Sequence, residues 1–362
     1  MATVFLTGFP GFLGSELLPR ILERAPGAQA VCLIQSKFRS LAEQRMSETI
    51  AENPDLEGRI ELVEGDITAP GLGLETLSDL AEDTIEIFHL AAVYDLSVRR
   101  EVGMKVNVEG TRNMLDFARQ CPRLQRFQYV STCYVSGRYA GIYSESDLIK
   151  GQTFNNYYEE TKYLAEVDVQ NAMAEGLPVT IYRPAIVVGD SKTGATQKYD
   201  GPYYVIRWLL KQPYLAFMPM VGDPKAVRVN LVPRDFVIDA ITHLSALKES
   251  EGKVYHLADP EPQTVDELVE TVAKATRRTV IRLPLLQAVA KAAIDHVPGV
   301  YRLMGIPAAS IDYFVHPTHY TCFNTLEDLQ GSGITAPPFP KYVNRLVAFV
   351  KGHPDVSSKA MT

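Results

Sequence analysis

The sequence has few cysteines, no excess of basic residues and no long apolar run, and each of these absences excludes a class of protein. Its 362 residues contain four cysteines, which lie far apart in no metal-ligand spacing, so neither a disulfide framework nor a metal site is expected. Lys and Arg number 36 against 43 Asp and Glu, which argues against a nucleic-acid partner. No apolar run reaches membrane-spanning length, and no basic segment precedes the apolar N-terminus as in a signal peptide. These features predict a reduced, soluble, cytoplasmic protein.

A glycine-rich turn between a strand and a helix opens the chain. Within residues 2–20, a β-type run is followed by glycines at 8, 11 and 14 and then by an amphipathic helical pattern. Glycines at this spacing allow a tight turn, approach of backbone N–H groups to a pyrophosphate, and close packing of helix on strand. The helix N-terminus adds unpaired donors and the positive end of its dipole. The segment predicts a dinucleotide-binding turn with contacts from Thr7, Gly8, Pro10, Gly11, Phe12, Leu13 and Gly14.

The end of the second predicted strand favours NADP(H) over NAD(H). A site that prefers NAD carries an acidic residue there, which binds the ribose hydroxyls. This chain instead has Gln35, Lys37 and Arg39, and two cations without a carboxylate suit a 2′-phosphate. The alternative is that Lys37 and Arg39 only face solvent.

Strand-like runs alternate with helical stretches over the first half of the chain. They are predicted at residues 28–34, 60–63, 84–90, 127–130 and 178–182. Such alternation, with right-handed crossovers, predicts an α/β fold with a doubly wound parallel sheet of the Rossmann type. Ligands bind these sheets at the carboxyl ends of the strands. Further cofactor contacts are expected there from Asp66, Ile67, Ala91, Ala92, Pro184, Ala185 and Ile186. Asp66 has the alternative of capping the following turn.

A Tyr and a Lys four residues apart on a predicted helix carry the chemistry. Tyr158 and Lys162 share one helix face, whereas Tyr157 points elsewhere. A nearby ammonium lowers the pKa of a phenol, so Tyr158 is the predicted proton donor to a carbonyl oxygen that receives a hydride. Thr132, at the end of a central strand, is predicted to hold that oxygen. Lys162 is also predicted to bind the nicotinamide ribose.

The positions of other residues near the predicted strand ends indicate their roles. Tyr94, Cys133 and Tyr134 lie in loops beside the predicted chemistry and are candidate substrate contacts. His89 and Asn107 fall inside buried patterns and are interpreted as structural.

Beyond residue 189 the strict alternation ends. The predicted division is a cofactor-binding domain at residues 1–189, to which 227–257 returns, and a smaller C-terminal α/β substrate-binding lobe at 190–226 and 258–362. Residues 283–313 are mostly apolar; they are interpreted as a pocket or lid for an acyl chain, as a weak membrane-surface contact, or as ordinary core.

The stretches TGFPGFLG, VSTCYVSG, the Tyr158–Lys162 pair and RPAIVVG together resemble the extended short-chain dehydrogenase/reductase (SDR) family. In that family the residue aligned with Thr132 joins Tyr158 and Lys162 in a catalytic triad, with Ser131 as the alternative one position away. GDITAPGLGL, HLAAVYDL, NVEGTRNML and YYEETKYLAE resemble its thioester reductase and fatty acyl-CoA reductase branch, the male-sterility type. That branch typically has an Arg where this chain has Gln35. The resemblance also implies a possible homodimer.

The first hypothesis is therefore an NADP(H)-dependent reductase of a carbonyl, aldehyde or thioester on a largely apolar, fatty acyl-like small molecule. A NAD-dependent sugar-nucleotide epimerase or dehydratase is the second, although it would need a cationic site for a diphosphate. A sterol-type alcohol dehydrogenase is also compatible. The third is a non-catalytic NADP-sensing regulator, a class that usually lacks the Tyr and Lys. Fold alone does not decide among them.

Overall fold

A parallel sheet of seven strands forms the centre of the molecule. The computed structural model describes residues 2–75, 77–296 and 307–357. The strands are β1 (Ala2–Thr7), β2 (Ala28–Ile34), β3 (Ile60–Glu64), β4 (Thr84–His89), β5 (Arg126–Val130), β6 (Gly141–Tyr143), β7 (Val179–Pro184), β8 (Ile186–Val188), β9 (Leu215–Val221), β10 (Leu231–Pro233), β11 (Val254–Leu257), β12 (Thr279–Leu285) and β13 (Thr318–Tyr320). The central sheet has the order β3-β2-β1-β4-β5-β7-β11, and every adjacent pair is parallel.

Helices cover both faces of this sheet. They are α1 (Gly14–Arg24), α2 (Arg39–Glu52), α3 (Leu77–Asp83), α4 (Arg100–Gly103), α5 (Gly110–Gln120), α6 (Tyr157–Ala174), α7 (Pro202–Leu210), α8 (Arg234–Ala246), α9 (Val265–Thr276), α10 (Gln287–His296), α11 (Phe323–Asp328) and α12 (Val343–Gly352), with a π-helical stretch, Met104–Glu109, between α4 and α5.

Two neighbouring side chains of β1 pack on opposite faces of the central sheet. Leu6 packs in a core with residues of α1 and α8, whereas Phe5 packs in a second core with residues of α5 and α6. Successive side chains of a strand point to opposite faces, so both faces of the sheet are buried, as parallel sheets require. The predicted Rossmann-type α/β fold is confirmed.

The C-terminal half adds a smaller lobe with its own core. Side chains from β9, α7, α9 and α12 pack together there, including Met218, Val205, Val269 and Leu346. Three short parallel pairs, β8–β10, β9–β12 and β6–β13, stand apart from the central sheet. Of the segment predicted to return to that sheet, β11 pairs with β7, whereas β10 pairs with β8. In the apolar segment 283–313, residues 297–306 lie outside the described residues.

Residues 190–201, which follow β8, are fastened to the C-terminal segment. The Arg345 side chain donates to the Ser191 carbonyl at 3.0 Å. The Tyr199 hydroxyl donates to the His353 carbonyl at 2.7 Å, and its backbone N–H donates to the Ser357 carbonyl at 2.9 Å. The last part of the described chain therefore fixes this connection, which we call the covering segment.

Three further features concern the described residues only. None of their helices combines the length and apolarity needed to cross a membrane. The four cysteines Cys32, Cys121, Cys133 and Cys322 are buried free thiols. Among these residues, no group of three or more His, Cys, Asp or Glu side chains is arranged to hold a metal ion.

Candidate active site

A cavity of about 890 Å³ lies along the carboxyl ends of the central strands. Nineteen of the predicted site residues line it: Thr7, Gly8, Gly11, Phe12, Leu13, Gly14, Gln35, Lys37, Ile67, Ala91, Ala92, Tyr94, Thr132, Tyr134, Tyr158, Lys162, Pro184, Ala185 and Ile186. They come from segments up to 179 residues apart in sequence (Thr7 to Ile186). A cavity of this size falls within the range usual for ligand sites.

The turn after β1 can be built only with glycine at two points. Gly8 has a φ of +94°, and a Cβ there would lie 2.8 Å from the Leu90 Cβ. A Cβ on Gly14 would lie 2.5 Å from the Gly8 carbonyl oxygen. A positive φ is easy only for glycine, and the absence of a side chain at Gly14 lets α1 begin against the turn. The N-terminus of α1 is thereby held at the cavity wall, where an anion can approach it.

Four predicted site residues do not line the cavity: Pro10, Arg39, Asp66 and Cys133. Arg39 instead pairs with Glu43 at 2.7 Å and Glu64 at 3.6 Å. Asp66 accepts from the Thr68 backbone N–H at 2.8 Å, as its alternative capping role requires, and from the Gln35 amide. Hydrogen bonds hold the pKa of the Asp66 carboxyl below its usual value. Cys133 is buried, with its thiol directed to a backbone carbonyl.

Tyr158 enters the cavity because of where α6 begins. The Asn156 side chain caps the helix by accepting from the Glu159 N–H at 3.0 Å. This start places the Tyr158 side chain inside the protein at 7% exposure, whereas Tyr157 is 47% exposed. Thr132 lines the same cavity as Tyr158, and its nearby hydroxyl acts to lower the pKa of the Tyr158 phenol.

Ser131, the alternative to Thr132, is engaged elsewhere. Its hydroxyl donates to Glu166 at 2.5 Å, and Glu166 forms a fully buried ion pair with Arg183. The geometry therefore supports Thr132 as the hydroxyl that faces Tyr158.

Lys162 lines the cavity, and two acceptors hold its side chain. Its ammonium donates to the Tyr129 hydroxyl and to the Val130 carbonyl, both at 2.9 Å. Burial lowers the pKa of Lys162 to about 7. Burial also raises the pKa of Tyr158 above its ordinary value, whereas the prediction was that Lys162 lowers it. Desolvation of the phenol is the larger effect because the ring is enclosed.

Tyr129 is a site residue that the sequence analysis missed. It is 1% exposed, and the nearby Thr111 hydroxyl acts to lower the pKa of its phenol. Thr111 contacts one ring nitrogen of His89 at 3.0 Å, and the other ring nitrogen contacts Thr7 at 2.7 Å. A buried chain of polar side chains therefore links Lys162 to the turn after β1. The sequence offered one signal for Tyr129, namely an aromatic residue two positions before the Ser131–Thr132 pair.

Replacing Tyr129 by Phe is expected to lower kcat about tenfold, because the Lys162 ammonium loses one of its two acceptors. A hydrogen bond to a charged group contributes about 1.5–3 kcal/mol, and 1.4 kcal/mol corresponds to about tenfold. Steady-state kinetics and melting temperature would be measured together. Tyr143→Phe is the matched control, since it removes a buried hydroxyl that donates to the Leu148 carbonyl outside the cavity. An unchanged kcat in Tyr129→Phe would contradict this role.

The covering segment closes one side of the cavity. Lys198 lies over the Tyr94 ring at 4.5 Å and pairs with Asp200 at 3.0 Å. The Tyr94 ring in turn meets the Tyr158 ring edge-on, with centroids 5.0 Å apart. Burial raises the pKa of the Asp200 carboxyl. The segment therefore reaches the aromatic side chains that surround the predicted proton donor.

A family described as "Male sterility protein" has a model that matches residues 6–241 of the chain. The chain belongs to the male sterility protein family. This confirms the resemblance to the extended SDR reductases and the enzyme class, an NAD(P)-dependent oxidoreductase. The family model spans the glycine turn, Thr132, and the Tyr158–Lys162 pair, so the cavity is built mainly from matched residues.

Individual proteins and solved structures are similar to this chain over most of its length. The non-canonical nonribosomal peptide synthetase FrzA of Cladobotryum sp is 27% identical over 71% of the chain, which covers 26% of that protein. The fatty acyl-CoA reductase wat of Drosophila melanogaster is 28% identical over 66% of the chain and 53% of that protein. The crystal structure of the terminal R domain from the myxalamid PKS-NRPS biosynthetic pathway is 28% identical, with a TM-score of 0.83, over 99% of this chain and 92% of that one. The chain spans about a quarter of the length of the peptide synthetases that it matches.

Proposed function

We propose that the protein is an NADPH-dependent reductase that delivers hydride to a carbonyl, aldehyde or thioester of a largely apolar, fatty acyl-like substrate. The observation that carries the proposal is that Tyr158, Thr132 and the glycine turn line one cavity. The similarity to a fatty acyl-CoA reductase and to a terminal R domain supports this class of reaction.

The residues of the cavity fit a nicotinamide dinucleotide. The turn at Gly8 to Gly14 and the N-terminus of α1 suit a pyrophosphate, and the small side chains of Ala91 and Ala92 line the wall beside them. When bound, the nicotinamide supplies the hydride.

Tyr158 and Thr132 act on the oxygen of the substrate carbonyl. Charge develops on this oxygen as the carbon is reduced, and the Tyr158 hydroxyl donates its proton there. Because burial raises the pKa of Tyr158, the phenol keeps its proton until that charge appears. The Thr132 hydroxyl holds the same oxygen in place. Lys162 lines the same cavity and would orient the nicotinamide ribose.

The proposed preference for NADPH rests on the end of β2. Lys37 lines the cavity and is exposed, and Gln35 stands where a carboxylate would repel a 2′-phosphate. Glu64 lies nearby and accepts from Ser36 at 2.6 Å. Its charge is offset by Arg39 at 3.6 Å, so Arg39 acts through Glu64 rather than on the cofactor.

Replacing Lys37 by Ala is expected to raise the Kd for NADPH about tenfold and to leave the Kd for NADH nearly unchanged. The reason is the loss of one charge-assisted hydrogen bond to the 2′-phosphate, about 1.5 kcal/mol or more. Fluorescence titration with both cofactors measures this. Arg39→Ala is the matched control and should have a smaller effect on NADPH. An equal loss for both cofactors would remove Lys37 from phosphate recognition.

The substrate end of the cavity is apolar. Leu96, Val102, Val106, Leu268 and Phe314 contribute to its wall, which suits an acyl chain better than a sugar diphosphate. Consumption of NADPH and NADH would be followed with long-chain aldehydes, acyl-CoAs and UDP-sugars. We expect turnover of an acyl substrate with NADPH. Turnover of UDP-sugars alone would overturn the proposal in favour of the epimerase or dehydratase class.

A further inference from the structure

The two-stranded sheet of β9 and β12 has one buried face and one exposed apolar face. Met218 of β9 packs in the core of the C-terminal lobe, whereas Leu215 and Phe217, which alternate with the buried positions, are nearly half exposed. In β12, Ile281 and Leu283 are 38% and 46% exposed, and Ile281 is opposite Phe217 in the parallel register. These four apolar side chains therefore form one surface, which we call the ribbon face.

Exposed apolar side chains continue on both sides of the ribbon face. Tyr214, directly before β9, is 72% exposed, and Leu286, directly after β12, is 75% exposed. Val289 of α10 adds a further half-exposed side chain. Clustered apolar exposure of this kind marks an interaction surface.

The backbone edge of this sheet is already occupied at its centre. The Phe217 N–H donates to the Gln212 side chain, and the Phe217 carbonyl accepts from the Trp208 Nε1, both at 2.8 Å. The edge of β9 therefore offers no free pair of backbone groups at Phe217 to which another strand could add. A partner has to recognise the apolar side chains instead.

The chain segments that carry the ribbon face are rich in cations. Residues 206–222 and 273–292 contain no Asp or Glu, although the whole chain has a net charge of −7. Their seven cations are Arg207, Lys211, Lys274, Arg277, Arg278, Arg282 and Lys291. Carboxylates of other segments pair with three of these, Lys274, Arg282 and Lys291.

Two of the other cations lie at one end of the ribbon face. The Thr279 N–H donates to the Tyr214 carbonyl at 2.8 Å, so the residues directly before Thr279 lie next to the start of β9. These residues are Arg277, which is exposed, and Arg278. Arg278 donates to backbone carbonyls, including that of Gln212 at 2.9 Å, and such acceptors carry no net charge. An anion that approaches this end of the sheet therefore meets positive charge.

Apolar side chains beside cations match the surface of an anionic bilayer better than they match other partners. A second copy of the chain, bound face to face, would place like charges against each other. A nucleic acid binds mainly through its phosphates, whereas the centre of the ribbon face is apolar. At a bilayer surface, apolar side chains enter the boundary of the acyl chains, and cations lie among the headgroups.

We propose that the ribbon face binds the surface of membranes that contain anionic phospholipids. The proposal concerns an interaction surface and does not depend on the reductase function. β9 and β12 end at Val221 and Leu285, and both side chains pack in a small core with Phe314, which lines the cavity of the candidate active site. A chain bound in this way holds that cavity close to the phase in which apolar substrates dissolve.

The test is cosedimentation of the full chain with vesicles of phosphatidylcholine, either alone or mixed with phosphatidylglycerol. The wild type is expected to bind the mixed vesicles about tenfold more tightly than the neutral ones, because each Lys or Arg near the surface adds attraction. Added salt should weaken this binding. The double variant Phe217→Ser, Ile281→Ser is expected to lower binding to the mixed vesicles about tenfold, since two apolar side chains are lost from the interface. Arg277→Gln should lower it about fivefold.

Phe323→Ser is the matched control, because Phe323 is 71% exposed on α11, outside the ribbon face. It should bind like the wild type, and melting temperatures would confirm that every variant is folded. Absence of wild-type binding to both kinds of vesicle would overturn the proposal, as would full binding by the double variant. A dimer in analytical ultracentrifugation that only the double variant dissociates, without vesicle binding by the wild type, would assign the face to a second copy and would also overturn it.

Discussion

Tyr158→Phe is expected to reduce turnover by roughly 10²–10⁴-fold, the usual contribution of a general acid, with little change in cofactor affinity. The substitution removes only the phenol hydroxyl, which lies in the same cavity as Thr132. The ring is buried and meets Tyr94 edge-on, so Phe fills the same space. The chemical step should therefore be lost without loss of the fold. Single-turnover kinetics with NADPH, together with cofactor titration, would measure the two effects separately.

Tyr157→Phe is the matched control for this variant. Tyr157 is the neighbouring residue of the same helix, but its side chain is half exposed and outside the cavity wall. The Tyr157→Phe variant should have a kcat and a cofactor affinity close to the wild-type values. An active Tyr158→Phe protein would exclude the Thr132, Tyr158 and Lys162 mechanism.

Arg183→Met is expected to lower the free energy of unfolding by about 3–5 kcal/mol, because it leaves a buried carboxylate without its partner. The Arg183 and Glu166 side chains are both 0% exposed and approach to 2.6 Å. Arg183 also donates to the Asp147 carbonyl at 2.9 Å and contacts His256 at 3.0 Å. Urea unfolding followed by circular dichroism would give the change.

Two further variants show whether the loss comes from the unpaired charge. The double variant Arg183→Met, Glu166→Leu removes both charges and should be markedly more stable than Arg183→Met alone. Arg119→Met breaks an exposed pair with Glu175 and should change stability little. A double variant as unstable as the single one would show that packing, and not charge, dominates at this site.

The short-range features of the site could be predicted from the sequence because they depend on local geometry. Glycine spacing determines the turn after β1, and a four-residue interval puts Tyr158 and Lys162 on one helix face. The capping box at the start of α9 is equally local, because Thr264 and Glu267 are three positions apart. Each of these depends on a few consecutive positions.

The remaining features depend on contacts between distant segments. The partner of Lys162 is Tyr129, 33 positions away, and nothing in either residue's neighbours specifies the pairing. Arg39 resembled a phosphate ligand, but as the first residue of α2 it pairs with Glu43, one helical turn along, and with Glu64 on β3. The net effect of burial on Tyr158 could not be judged before its surroundings were known. The ribbon face has the same origin, since β9 and β12 meet only in the fold.

The attachment of the covering segment to residues 345–357 has a practical consequence for dividing the chain into modules. The family match ends at residue 241, and a gene fragment cut there would encode the cofactor turn, Thr132 and Tyr158. It would also encode residues 190–201, but without the anchors for Ser191 and Tyr199. The smallest exchangeable unit for domain grafting is thus longer than the family-matched residues 6–241, and it includes the anchors that hold residues 190–201 in place.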